Sequence, residues 1–190
     1  MFYLGTIDHE LLSLRFDPAD QYLSASYKNG SISVFNLMNQ KEAFKFNTDL
    51  VVESPTTSLR WRPSNSLSST KNVMISVNTN GIIQHWHTTS GSLINSIKEE
   101  NNEIYCTDFS FDGQKFVSAG QDSIVRLYDE NTKKIILNLN GSYKVPGHSS
   151  RIFSAKFSKE EENMLYTGGW DNIVIKWDIR SNFNQRWRNS

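Results

Sequence analysis

Apolar and polar residues alternate along this chain in short runs, and the runs return in the same order four times. The clearest is Ile173-Val174-Ile175-Lys176-Trp177, where a period of two puts Ile173, Ile175 and Trp177 on one face and Val174 and Lys176 on the other. β-Branched and aromatic side chains of this kind favour a pleated, half-buried backbone. No segment keeps the period of a helix over a useful length. The pattern predicts an all-β protein.

Four copies of one phrase can be aligned. They centre on Phe16 with Phe35, Trp61 with Trp86, Phe109 with Tyr128, and Phe157 with Trp177. The leading aromatics are 45, 48 and 48 residues apart. Each closing aromatic follows an Asn or Asp by six positions: Asn29, Asn80, Asp122 and Asp171. The residues there, Asn-Gly, Asn-Gly, Asp-Ser and Asp-Asn, suit tight turns because Asn and Gly tolerate positive φ. Each copy therefore reads as three strands and a weaker fourth, such as Ile135-Ile136-Leu137-Asn138-Leu139. A period this long marks a repeat architecture.

These residues resemble the WD-repeat β-propeller family, whose blades are four-stranded antiparallel sheets of about 40–45 residues. The resemblance runs from about Glu10 to Arg180 and implies one domain over 1–190, with blades near 10–50, 51–100, 101–142 and 147–190. In the fourth copy Gly147-His148 opens the repeat and Trp177-Asp178 closes it. The resemblance implies that His148, Thr167, Asp171 and Trp177 form a buried hydrogen-bonded set, in which imidazole bridges a carboxylate to a hydroxyl. The third copy keeps Ser118 and Asp122 but has Tyr128 and no opening histidine. The first two have Asn29 and Asn80 in place of the Asp, and are expected to rely more on packing.

Propellers of the family commonly close with about seven blades. Four blades predict an open arc or partial ring, with residues 1–9 holding an outer strand left unattached and residues 181–190 at most a ragged fourth strand. Such an arc exposes blade faces and an edge strand. The expectations, in order, are a piece of a longer product, a ring completed by a second chain, or tolerated open ends.

Charge and composition narrow the chemistry. Twenty Lys and Arg against twenty Asp and Glu give no net charge, which argues against a generally basic nucleic-acid surface. The terminal Asn184-Gln185-Arg186-Trp187-Arg188 is the one cue for RNA, through phosphate contact and stacking. The single cysteine, Cys106, forms no internal disulfide and reads as a buried thiol. No run reaches the length of a membrane-spanning helix, so no membrane partner is expected, and the expected location is the cytoplasm, with the nucleus as the alternative. His85 and His87 flank Trp86, but two histidines make a poor metal site. No nucleophile elbow or phosphate loop occurs. Neither catalytic residues nor a cofactor or metal is expected.

The resemblance instead implies a face that binds a protein or peptide. Carried over to this chain, its positions are Arg151, Phe153 and Trp170 in the fourth blade, Glu103, Tyr105 and Gln121 in the third, and Lys28 in the first. Arg and Trp are favoured interface anchors. An alternative lies in Trp177-Asp178-Ile179-Arg180: in some family members such an ending serves a cullin-RING ubiquitin ligase, with the residue at Arg180 contacting the adaptor. The expected function is a non-catalytic interaction scaffold, with that receptor role and an RNA-associated scaffold as alternatives.

Overall fold

The computed structural model describes residues 9–46, 54–65, 72–141 and 147–180, which form strands and turns with no helix. The first sheet is β1 (Leu11–Phe16), β2 (Tyr22–Tyr27), β3 (Ile32–Asn36) and β4 (Lys41–Phe46). The second is β5 (Thr56–Trp61), β6 (Val73–Asn78), β7 (Ile82–His87) and β8 (Ser92–Lys98). The third is β9 (Ile104–Phe109), β10 (Lys115–Gly120), β11 (Val125–Asp129) and β12 (Ile135–Leu139). The fourth holds β13 (Ile152–Phe157), β14 (Met164–Gly169) and β15 (Val174–Asp178). Every sheet is antiparallel with its strands in chain order, the meander that the four aligned copies predict. Residues 1–8 and 181–190, and with them the outer strands expected there, lie outside the described residues, as do Arg186 and Arg188.

The turn between the second and third strands carries the same signature in all four sheets. Gly30, Gly81, Ser123 and Asn172 sit there at φ of 90°, 74°, 65° and 59°. In three sheets the preceding side chain caps the turn: Asn29, Asp122 and Asp171 accept the backbone N–H of Ser31, Ile124 and Ile173. The second sheet differs. There Asn78 accepts the N–H groups of both Asn80 and Ile82, at 3.0 and 2.9 Å, so the capping side chain has moved two residues back.

The chain divides into two compact units, one holding β1–β8 and the other β9–β15. In the first, Ile32, Val34, Leu59, Met74 and Trp86 pack around Phe46, whose ring lies 5.2 Å from that of Trp86. Polar ties cross between its two sheets: the Trp61 indole donates to Ser24 Oγ at 2.9 Å, and Thr56 Oγ1 to the Gly30 carbonyl at 2.9 Å. In the second unit Val117, Val125, Leu139, Ile152, Leu165 and Trp177 form the core. Burying aliphatic side chains of this size stabilises by about 1.5–3 kcal/mol each. Asp108 ties its two sheets by accepting the Phe157 N–H at 3.0 Å. Of the four leading aromatics Phe16 departs from the anchoring role, with 61% of its surface exposed. Phe109 is buried, and Trp61 and Phe157 pack partly buried against their cores.

Candidate functional site

Each sheet has the same irregularity in its first strand. Pairing slips by one residue between Leu11 and Ser13, Thr56 and Ser58, Ile104 and Cys106, and Ile152 and Ser154. The extra residues are Leu12, Thr57, Tyr105 and Phe153. A bulge of this kind breaks the alternation and re-aims one side chain. Beside each bulge a backbone hydrogen bond recurs: the N–H groups of Lys28, Thr79, Gln121 and Trp170 donate to the carbonyls of Glu10, Pro55, Glu103 and Arg151. The repeat thus places one residue before the bulge, the bulged residue and one turn residue together at the same end of every sheet.

In the second unit these positions carry aromatic and charged groups. Tyr105 and Phe153 stack with ring centroids 4.8 Å apart and planes 11° from parallel. Phe153 meets Trp170 at 5.1 Å, and the Arg151 guanidinium lies over the Trp170 ring at 5.4 Å. The Tyr105 hydroxyl donates to Glu103 Oε2 at 2.6 Å. Burial and that carboxylate push the Tyr105 pKa up to about 12. Trp170 remains 64% exposed and Phe153 42%. Glu103, Tyr105, Phe153, Trp170 and Arg151 therefore form one surface, a file of three rings between a carboxylate and a guanidinium. Gln121 occupies in the third sheet the place that Trp170 holds in the fourth. Lys28 holds it in the first unit, where it pairs with Glu10 at 2.8 Å.

Two glycines set this geometry, and the alignment of aromatics alone does not single them out. A Cβ on Gly120 would lie 1.8 Å from the Glu103 carbonyl oxygen, and one on Gly169 would lie 2.4 Å from that of Arg151. The bare backbone lets the strand before the bulge close on the turn. The recurrence of Gly just before Gln121 and Trp170 is the sequence signal for it.

Behind the surface, the fourth sheet holds a hydrogen-bonded chain. Trp177 Nε1 donates to Thr167 Oγ1 at 2.7 Å, and Thr167 Oγ1 lies 2.7 Å from His148 Nε2. His148 Nδ1 lies 2.7 Å from Asp171 Oδ2, with the two side chains 0% and 3% exposed. The indole can only donate, so the threonine hydroxyl accepts from it while facing Nε2, and Nδ1 faces the carboxylate. Burial raises the Asp171 pKa, but the bonds from His148, Ser149 N and Ile173 N outweigh it and hold the carboxyl below its usual value. Asp171 thereby fixes both the imidazole and the turn that carries Trp170.

The other sheets solve the same problem differently. In the second, Trp86 Nε1 donates to Ser76 Oγ at 2.8 Å. In the third, Asp122 pairs with Arg126, and buried Tyr128 stacks on Phe116 at 4.7 Å. In the first, Ala25, Tyr27 and Phe35 make an apolar cluster where the polar set would stand.

Arg180 is held by Asp178, with Nε 2.9 Å from Oδ1. Its guanidinium lowers the Asp178 pKa to about 2. His85 is fully buried, whereas His87 Nδ1 lies 2.7 Å from Ser90 Oγ. Cys106 is buried, its thiol 3.6 Å from the Ala119 carbonyl. Among the described residues no three His, Cys, Asp or Glu side chains gather as a metal site would require.

The family model "WD domain, G-beta repeat" matches residues 91–129 and 140–178. A LEC14B homolog of Prunus armeniaca is 26% identical over 181 residues, which is 87% of this chain and 35% of that protein. The histone acetyltransferase type B subunit 2 of Candida glabrata is 23% identical over 177 residues, 88% of this chain and 38% of that protein. This chain thus spans little more than a third of the length of either relative. Among solved structures, a chain in a crystal structure of the mitotic checkpoint complex superposes with a TM-score of 0.81 at 17% identity, over 95% of this chain and 52% of that one. The described residues form sheets like the blades of a propeller, and two segments of the chain, residues 91–129 and 140–178, match the WD repeat.

Proposed function

We propose that this chain is a non-catalytic scaffold that holds a protein or peptide partner on the surface made by Glu103, Tyr105, Arg151, Phe153 and Trp170. The observation that carries this reading is the file of three contacting rings left open to solvent at Trp170. Aromatic and Arg side chains in rigid settings make interface anchors at small entropic cost. Here the setting is rigid because bulges in two adjacent blades, two glycines and the His148–Asp171 pair fix it from behind. WD-repeat proteins generally act as interaction scaffolds, and the two comparison proteins above that bear a complex or subunit in their titles accord with such a role.

The adaptor-binding alternative rests on Arg180, whose exposed guanidinium is paired with Asp178. The test is affinity capture from native extract with wild type and Trp170→Ala side by side, with the captured proteins identified by mass spectrometry. A defined set of partners lost from a variant of unchanged melting temperature supports the reading. Partners retained equally by both would remove it.

A further inference from the structure

The surface carries two opposite charges that do not meet. Glu10, Glu103 and Arg151 hold the same place before the bulge of their sheets, and Lys28, Gln121 and Trp170 hold the turn place beside them. In the first sheet the two places carry Glu10 and Lys28, which neutralise each other at 2.8 Å. In the third, neutral Gln121 stands in place of the cation, and Glu103 keeps its charge while accepting the Tyr105 hydroxyl at 2.6 Å. In the fourth the sign is reversed. Arg151 stands where the acid was, and its guanidinium lies over the Trp170 ring at 5.4 Å.

Glu103 and Arg151 are therefore equivalent residues of consecutive blades with opposite charges, yet no ion pair among the described residues joins them. Each is held by an aromatic side chain instead, the carboxylate by Tyr105 and the guanidinium by Trp170. The rings between them touch in file, Tyr105 on Phe153 and Phe153 on Trp170, with centroid steps of 4.8 and 5.1 Å. The surface has no net charge, but it has a direction: negative at the third blade and positive at the fourth.

We infer that the partner is an extended peptide segment of matching direction, with a Lys or Arg at Glu103, an Asp or Glu at Arg151 and apolar side chains over the rings between. An extended chain rises about 3.3 Å per residue, so the file spans about three residues and sets the two charges roughly three to four positions apart. A guanidinium laid flat on an indole matches a carboxylate in planarity as well as charge. Complementary charge at both ends fixes the register of the segment, which one charge alone does not. The inference rests on the scaffold reading above and adds the chemistry and polarity of what is held.

A display library of random peptides, selected on the purified chain and counter-selected on Trp170→Ala, tests it. The enriched peptides should carry one basic and one acidic residue in a constant order and at a constant spacing around an apolar centre. Glu103→Gln removes the anion but keeps an acceptor for the Tyr105 hydroxyl, and Arg151→Gln removes the cation. Each should weaken these peptides at least about tenfold in fluorescence anisotropy. The double exchange Glu103→Arg with Arg151→Glu should enrich peptides with the two charges in the opposite order. Enriched peptides with one sign of charge or none, or bound by either Gln variant as tightly as by wild type, overturn this inference and leave the scaffold reading standing. No Trp170-dependent peptide at all overturns both. Melting curves of the variants, expected to match wild type, separate lost binding from lost folding.

Discussion

Tyr105 and Phe153 are equivalent residues of consecutive blades, each the extra residue of a bulge, and their rings lie face to face at 4.8 Å. The contact ties the two blades of the second unit at the end that carries their bulges. A double-mutant cycle of Tyr105→Ala and Phe153→Ala, followed by denaturant unfolding, should give a coupling of about 0.5–1.5 kcal/mol. Strict additivity would mean that the rings only meet and do not hold each other.

Asp171 makes stability depend on acid. Its carboxyl titrates lower in the folded chain than in the unfolded one, so the stabilisation is complete above the ordinary Asp value of about 3.8 and is lost as pH falls through the depressed folded value. The melting temperature of wild type should therefore fall faster below about pH 4 than that of Asp171→Asn, which lacks this carboxyl. Parallel acid profiles of the two proteins would contradict the assignment.

Thr167 is the middle of the chain from Trp177 to His148. Thr167→Val keeps the volume but strands the indole N–H and the imidazole Nε2 in a buried site, at a cost of about 1–3 kcal/mol for each group left without a partner. Thr167→Ser keeps the hydroxyl and should recover most of that loss in a thermal or denaturant melt. A serine variant as weak as the valine one would assign the effect to the methyl group.

Gly169→Ala tests the geometry from the backbone side. The added Cβ cannot share space with the Arg151 carbonyl, so β13 must move away from the turn. A loss of about 1–3 kcal/mol is expected, together with weaker partner binding, because Arg151 and Trp170 lose their fixed spacing. Gly168→Ala, with open space above it, is the control and should keep the stability within about 1 kcal/mol of wild type.

The blades were legible because burial forces periodicity: Trp177, Tyr128, Trp86 and Phe35 recur at one offset since each closes the same packed position. The turns were legible because Gly30, Gly81 and Asn172 suit the left-handed backbone there, and Ser123 inherits the position by alignment. The surface residues could be placed by the repeat, but their mutual contact could not. A bulge leaves no pattern of its own, so nothing in the alternation announces that Tyr105 and Phe153 turn out of register. The substitution of Asn78 for Asn80 as the turn cap was hidden likewise, since both are Asn within reach of the same N–H groups. Phe16 shows the opposite failure, an aromatic in the right place that its surroundings leave exposed.

The central claim is that partners meet this chain at the Trp170 end of its second unit. The most direct test replaces Trp170 with a photo-crosslinking benzophenone side chain, beside a control with the same group at Phe111, an exposed residue beyond the other end of β9. Irradiation in native extract should give discrete crosslinked proteins from position 170 and not from position 111. Crosslinks from position 111 alone, or the same products from both, would contradict the account.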